Sequence, residues 1–184
     1  MQLQHLPKFQ ALEKNIIDVI VEQQIKLGYR SETIRLYYPA ESINRILDTQ
    51  LSIEELQHTL DQFCQYSNPT LGALEHTNKE NRFCIIVPPA GVDFVYREIQ
   101  DRSFLTEFID KIRMHDCSLE DIQRIFERYS SQVVCEKMSG EEFDYLIYFG
   151  DEKPDAYRYC IKFEECHATY HRFTKEDYAD FEFK

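Results

Sequence analysis

The 184-residue chain is predicted to be α+β, and three observations predict it. The first hundred residues read as helix, short strand, helix, helix, hairpin, helix. Residues 143–170 carry strand after strand of alternating apolar positions. And a motif recurs: SIEELQHTLDQF at Ser52–Phe63 returns as SLEDIQRIFERY at Ser118–Tyr129, each copy followed by two apolar runs around a polar turn. A helix-plus-hairpin unit used twice describes an architecture, not a reaction. The same match also arises when two capped amphipathic helices independently obey the same pattern rules. The order of elements makes the first half, residues 1–101, winged-helix-like. Residues 102–184 form a half of helices and antiparallel sheet.

Each element follows from local chemistry. Gln10–Leu27 is a helix in which Leu12, Ile16, Val19, Ile20 and Leu27 form one apolar stripe and Ile17, Val21 and Ile25 a second beside it. So wide an apolar surface predicts a helix sandwiched in the core or lying at a subunit interface. Gly28 stops it. Thr33–Tyr38 is a short β-rich run ended by Pro39, and Glu41–Leu47 is a short helix. Ser52 and Glu55 form the capping-box pattern of the next helix, whose buried face is Ile53, Leu56, Leu60 and Phe63. Asn68-Pro69 and Gly72 break the chain ahead of a hairpin, Leu74–His76 and Arg82–Val87. A helix after Gly91 closes this half.

In the second half, Phe104–Met114 is a helix with Phe104, Phe108, Ile109 and Ile112 on one side. Ser118 caps the repeat helix, with Asp121 three residues on. Strands follow at Val133–Lys137, Phe143–Phe149, Tyr157–Phe163 and Cys166–Tyr170, then a helical turn from Thr174 and an aromatic tail, Phe181–Phe183. Only 5 Gly and 6 Pro occur and no linker composition appears, so the two halves are expected to pack together.

Charge bounds the partners. The net charge is −12, with 9 Lys and Arg against 13 Asp and Glu in residues 1–100, and 12 against 20 in residues 101–184. Such a surface repels phosphate backbones. The N-terminal sequence lacks the layout of a signal peptide, and no apolar run approaches ~18 residues. Six cysteines without CxxC spacing suit a cytoplasmic protein with free thiols.

One sheet face gathers chemistry. Strand alternation puts Arg158, Cys160 and Lys162 on the same face as His167, Thr169 and His171 of the following strand. A tight turn at Glu164-Glu165 would set Arg158 beside His171, Cys160 beside Thr169 and Lys162 beside His167. Read functionally, this cationic strip is an anion site with Cys160 lowered in pKa; read plainly, it is a solvated outer face. His167 and His171 lie ~13 Å apart on a strand and do not chelate one ion. No metal site, cofactor motif or catalytic set emerges, so the pattern leans away from an enzyme.

The segments GYRSETIRLYYPAESIN, NRFCIIVPPAGVDFVY and AYRYCIKFEECHATYHRF resemble those of an uncharacterised family of small bacterial proteins. That resemblance implies a bacterial, cytoplasmic context and supplies no functional residue. Three readings follow. The leading one is a non-enzymatic protein-interaction or self-association module, contacting a protein partner or its own copies through Ile17, Val21, Ile25, Phe181 and Phe183. The alternatives are a binder of a small anionic ligand, or an enzyme, using the Cys160 face, and a transcription regulator with a weak local DNA contact.

Overall fold

The computed structural model describes residues 6–98, 102–140 and 142–181. The chain is α+β and divides into two compact units, Met1–Gln100 and Asp101–Lys184. In the first unit the order is α1 (Leu6–Leu27), β1 (Ile34–Pro39), α2 (Ala40–Ile46), α3 (Ile53–Leu71), β2 (Glu75–Lys79), β3 (Arg82–Val87) and α4 (Pro89–Glu98). The three strands form one antiparallel sheet in the order β1-β3-β2. Phe83, Ile85 and Val87 alternate into the core from the central strand, and Leu56, Leu60 and Phe63 of α3 and Leu12, Ile16 and Ile20 of α1 are buried with them.

Local polar groups set the joints between these elements. Ser52 and Glu55 close the expected capping box: the Ser52 N–H donates to Glu55 Oε2 at 2.8 Å, and the Glu55 N–H to Ser52 Oγ at 3.3 Å. Asn44 shapes the connection from α2. Its Oδ1 accepts from the Leu51 N–H and Thr49 Oγ1, each at 2.8 Å, while its Nδ2 donates to the Leu51 carbonyl at 2.9 Å. One asparagine side chain thus satisfies both backbone groups of Leu51.

Three expectations need correction here. Asn68-Pro69 does not break α3, which runs to Leu71 with Pro69 in its last turns. The missing proline N–H removes a single hydrogen bond there, and burial of Ser67 and Leu71 holds the end in place. Leu27 is exposed rather than on the buried stripe, whereas Val21, expected at an interface, is buried; Ile17 and Ile25 are half-buried. Gly91 lies inside α4 rather than ahead of it, because α4 starts at Pro89 as soon as Pro88 ends the strand.

The second unit runs α5 (Ser103–Ile112), α6 (Leu119–Tyr129), β4 (Val133–Lys137), β5 (Tyr145–Phe149), β6 (Arg158–Glu164), β7 (His167–Phe173) and α7 (Lys175–Asp180). Its sheet is antiparallel in the order β4-β5-β6-β7. The core is aromatic. Phe104 meets Phe126 and Phe149 with ring centroids 4.9 Å apart, and Phe108 meets Tyr159 at the same distance, all edge to face. Ser118 and Asp121 close a second capping box on α6.

The repeated motif therefore folds alike in both units, as a reciprocally capped helix followed by an antiparallel hairpin. The third strand differs. It pairs with the second hairpin strand in each unit, but β1 precedes its helix while β6 follows its hairpin.

Two glycines have distinct reasons. A Cβ on Gly91 would collide with the backbone carbonyl of Leu71, so the junction of α3 and α4 requires glycine. Gly28 has φ +72° and open space around it. Gly91→Ala is expected to cost about 3 kcal/mol in urea unfolding, and Gly28→Ala about 1 kcal/mol. Equal costs at the two positions would contradict this close approach.

Candidate functional site

The strip expected on β6 and β7 does share one sheet face, but its register is shifted by two residues. Cys160 lies opposite His171, Lys162 opposite Thr169, Glu164 opposite His167, and Arg158 opposite Phe173. The two-residue turn is Glu165-Cys166, not Glu164-Glu165. A slip of two preserves which side each residue faces, so alternation placed the residues on a common face without fixing their neighbours.

Nor is the face an open cationic surface. Phe143, Leu146 and fully buried Cys160 form a second small core on it, with Tyr148, Phe173 and Tyr178 packed alongside. Lys162 Nζ lies 3.5 Å from Asp144 Oδ1, and His167 Nε2 lies 2.8 Å from Glu164 Oε2. The Arg158 guanidinium stacks 3.7 Å above the Tyr148 ring, and its buried Nη1 has no hydrogen-bond partner among the described residues. The aromatic face supplies the attraction that an acceptor would otherwise give. His171 and Thr169 are exposed, the imidazole stacking on Phe173 at 5.8 Å. Arg158 and His167 sit at opposite ends of the strand pair, roughly 20 Å apart at the usual rise. The positive charges are thus divided among local partners.

The thiol expectation reverses in sign. Burial pushes Cys160 up to about 12 from its ordinary 9.0, and Glu142 adds to the rise. Such a thiol is neutral near pH 7 and is a small hydrophobe rather than a nucleophile. Of the aromatic tail, Phe181 is partly exposed and packs on Phe173 at 5.0 Å, while Phe183 lies outside the described residues.

A polar cluster that sequence reasoning missed supports the other face of this sheet. Asp155 Oδ1 accepts from the Tyr157 N–H at 2.6 Å, and Oδ2 accepts from the Tyr159 hydroxyl at 2.7 Å. Arg172 Nη1 lies 3.7 Å from the same carboxylate, with both side chains largely buried, and its guanidinium covers the Tyr157 ring at 4.2 Å. Burial raises the Tyr159 phenol well above its ordinary value. Asp155 sits beside Pro154 in a loop and its partners come from two strands, so no spacing in the chain signalled it.

A groove lies between α3 and β2 in the first unit, with a volume of about 710 Å³. His58, Asp61, Gln62 and Gln65 recur at helical spacing on the α3 side, and Glu75 and His76 line the strand side over Leu74 and Cys64. His76 Nε2 and Asp61 Oδ1 are 2.9 Å apart across it. Gln57 Nε2 donates to Asn78 Oδ1 at 2.5 Å further along. These contacts tie helix to strand. Desolvation, aided by Asp61, pushes the Cys64 thiol up to about 11, so it too stays neutral near pH 7.

Among the described residues, no group of three or more His, Cys, Asp or Glu could hold a metal ion, and no helix is long and apolar enough to cross a membrane. The raised thiols of Cys64 and Cys160 also predict a pH dependence. Their folded pKa values are raised, so between the unfolded value near 9 and the folded values of about 11 and 12 the unfolded chain binds fewer protons than the native one. Their contribution to stability is whole below pH 9 and is lost as pH rises through that window. Urea unfolding at a series of pH values should show this decline. In the folded protein a maleimide should label exposed Cys166 well before Cys160; equal labelling rates would contradict the burial of Cys160.

No curated protein and no solved structure matches the chain. A family model does, over residues 9–181: DUF3877, a domain of unknown function whose description refers to an E. rectale gene. With nearly its whole length matched, the chain belongs to the DUF3877 family of uncharacterised proteins.

Proposed function

We propose that this is a non-enzymatic, cytoplasmic bacterial protein whose N-terminal unit is a winged-helix-like module that binds polypeptide. The element order and the sheet order β1-β3-β2 support the module, with α3 as its third helix and the β2–β3 hairpin as its wing. The observation that carries the choice of partner is the composition of α3. Over Ile53–Leu71 it bears Glu54, Glu55 and Asp61 and no Lys or Arg. A third helix that enters a DNA groove passes between phosphates, and counterion release requires cations on the protein. Carboxylates at the same place repel that backbone and suit the polar, cation-bearing surface of another protein.

The β6–β7 face gives less support to the readings built on it. An anion site needs uncommitted positive charge; Lys162 and His167 lie against Asp144 and Glu164, while Arg158, stacked on the Tyr148 ring, keeps a buried Nη1 without a hydrogen-bond partner among the described residues. A nucleophile needs a thiolate, and burial keeps Cys160 protonated.

A photoreactive phenylalanine analogue at Gln65, an exposed position on α3, tests the proposal in cells of the native host. The expected product is a discrete protein–protein adduct, absent when the analogue is placed at Glu176 on α7. Adducts to nucleic acid from position 65, or no adduct at all, would reject the reading.

A further inference from the structure

We infer that the groove between α3 and β2 is a docking surface for an Arg- or Lys-bearing segment of a different protein, an inference that rests on the polypeptide-binding reading above. The outward face of α3 forms one wall. Its chemistry is one-sided: the groove is lined by the carboxylates of Asp61 and Glu75, the amides of Gln62 and Gln65, and two imidazoles, with no Lys or Arg among them. The Asp61 side chain is 64% exposed and engages His76 through one oxygen only. Glu75 is exposed and takes part in no ion pair among the described residues.

The floor and rim match a long basic side chain. Leu74 is buried and Cys64 half-buried at the bottom, an apolar strip for the methylene stem, while the acceptors stand at the edge for the charged head. A guanidinium offers five donors and no acceptor, the complement of a lining rich in carboxylate and amide oxygens. The walls are already set by the His76–Asp61 and Gln57–Asn78 contacts, so little ordering is needed on binding. A second copy of this chain is a poor occupant. Its own net charge of −12 opposes approach.

The test uses the full chain and a fluorescein-labelled nonapeptide with three arginines spaced by alanine and glycine, followed by anisotropy at 50 mM salt and by amide NMR shifts. The lysine version should also bind, and the citrulline version, neutral and nearly isosteric, should bind at least tenfold more weakly. Glu75→Gln, at an exposed position, should weaken the arginine peptide severalfold, and Asp61→Asn with Glu75→Gln at least tenfold. The control Glu120→Gln with Glu127→Gln on α6 removes the same charge and should change affinity less than twofold. Shifts should fall on α3 and β2. Equal weakening by the two double variants would mean attraction to overall charge and would overturn the inference, as would no binding by the unaltered chain. A protein adduct at position 65 with no peptide binding would remove the basic-partner inference alone; absence of that adduct removes the reading beneath it.

Discussion

The central strand of each sheet is the constraint on which the rest depends. A hairpin whose second strand lies under a helix leaves one row of its backbone donors and acceptors facing away from its first strand, and a buried row cannot be left to water. Both units meet this demand with a third antiparallel strand, and they draw it from opposite directions along the chain. In the first unit β1 arrives from upstream and pairs along β3 from Ile34↔Val87 to Pro39↔Arg82. In the second, β6 arrives from downstream and pairs with β5 through Leu146↔Cys160. The same capped helix and hairpin are thus completed by non-equivalent parts of the sequence.

Taking the third strand from downstream has a consequence for β6. It becomes an interior strand with β7 on its far side, and both its faces are covered: Tyr159 and Ile161 in the aromatic core, Cys160 in the smaller cluster opposite, all three without exposure. Interior strands buried on both sides read as continuous apolar runs. The β6 sequence instead interleaves Arg158 and Lys162, which imitates a half-exposed strand. Their charges are accommodated at the ends, by the Tyr148 ring and by Asp144, while the middle of the strand is fully enclosed.

The first unit has the opposite character. Its third helix buries Leu56, Leu60 and Phe63 and keeps an outward face of carboxylates, amides and imidazoles beside a strand of similar polarity. Among the described residues that line the groove there is no Lys or Arg, and His76 engages Asp61 alone of the two carboxylates. An acidic protein distributes most of its charge over a solvated surface; here part of it borders a groove that Leu74 and Cys64 also line.

The residues by themselves determined the elements and their sidedness. Ser52 with Glu55 and Ser118 with Asp121 announced two helix starts through groups within four residues of each other, and strand alternation put Arg158, Cys160 and Lys162 on one face with His167, Thr169 and His171. Both are short-range rules. Register and coverage belonged to the tertiary structure. Alternation has period two, so a shift of two residues leaves it unchanged, and the turn at Glu165-Cys166 could be settled only by the pairing of the whole hairpin. Whether a face is solvated depends on segments remote in the chain: Phe143 and Tyr178 enclose Cys160, and Asp155 reaches Tyr159 and Arg172 from a loop. The α3–β2 groove was hidden for the same reason, since its two walls acquire a meaning only when the hairpin folds back beside the helix.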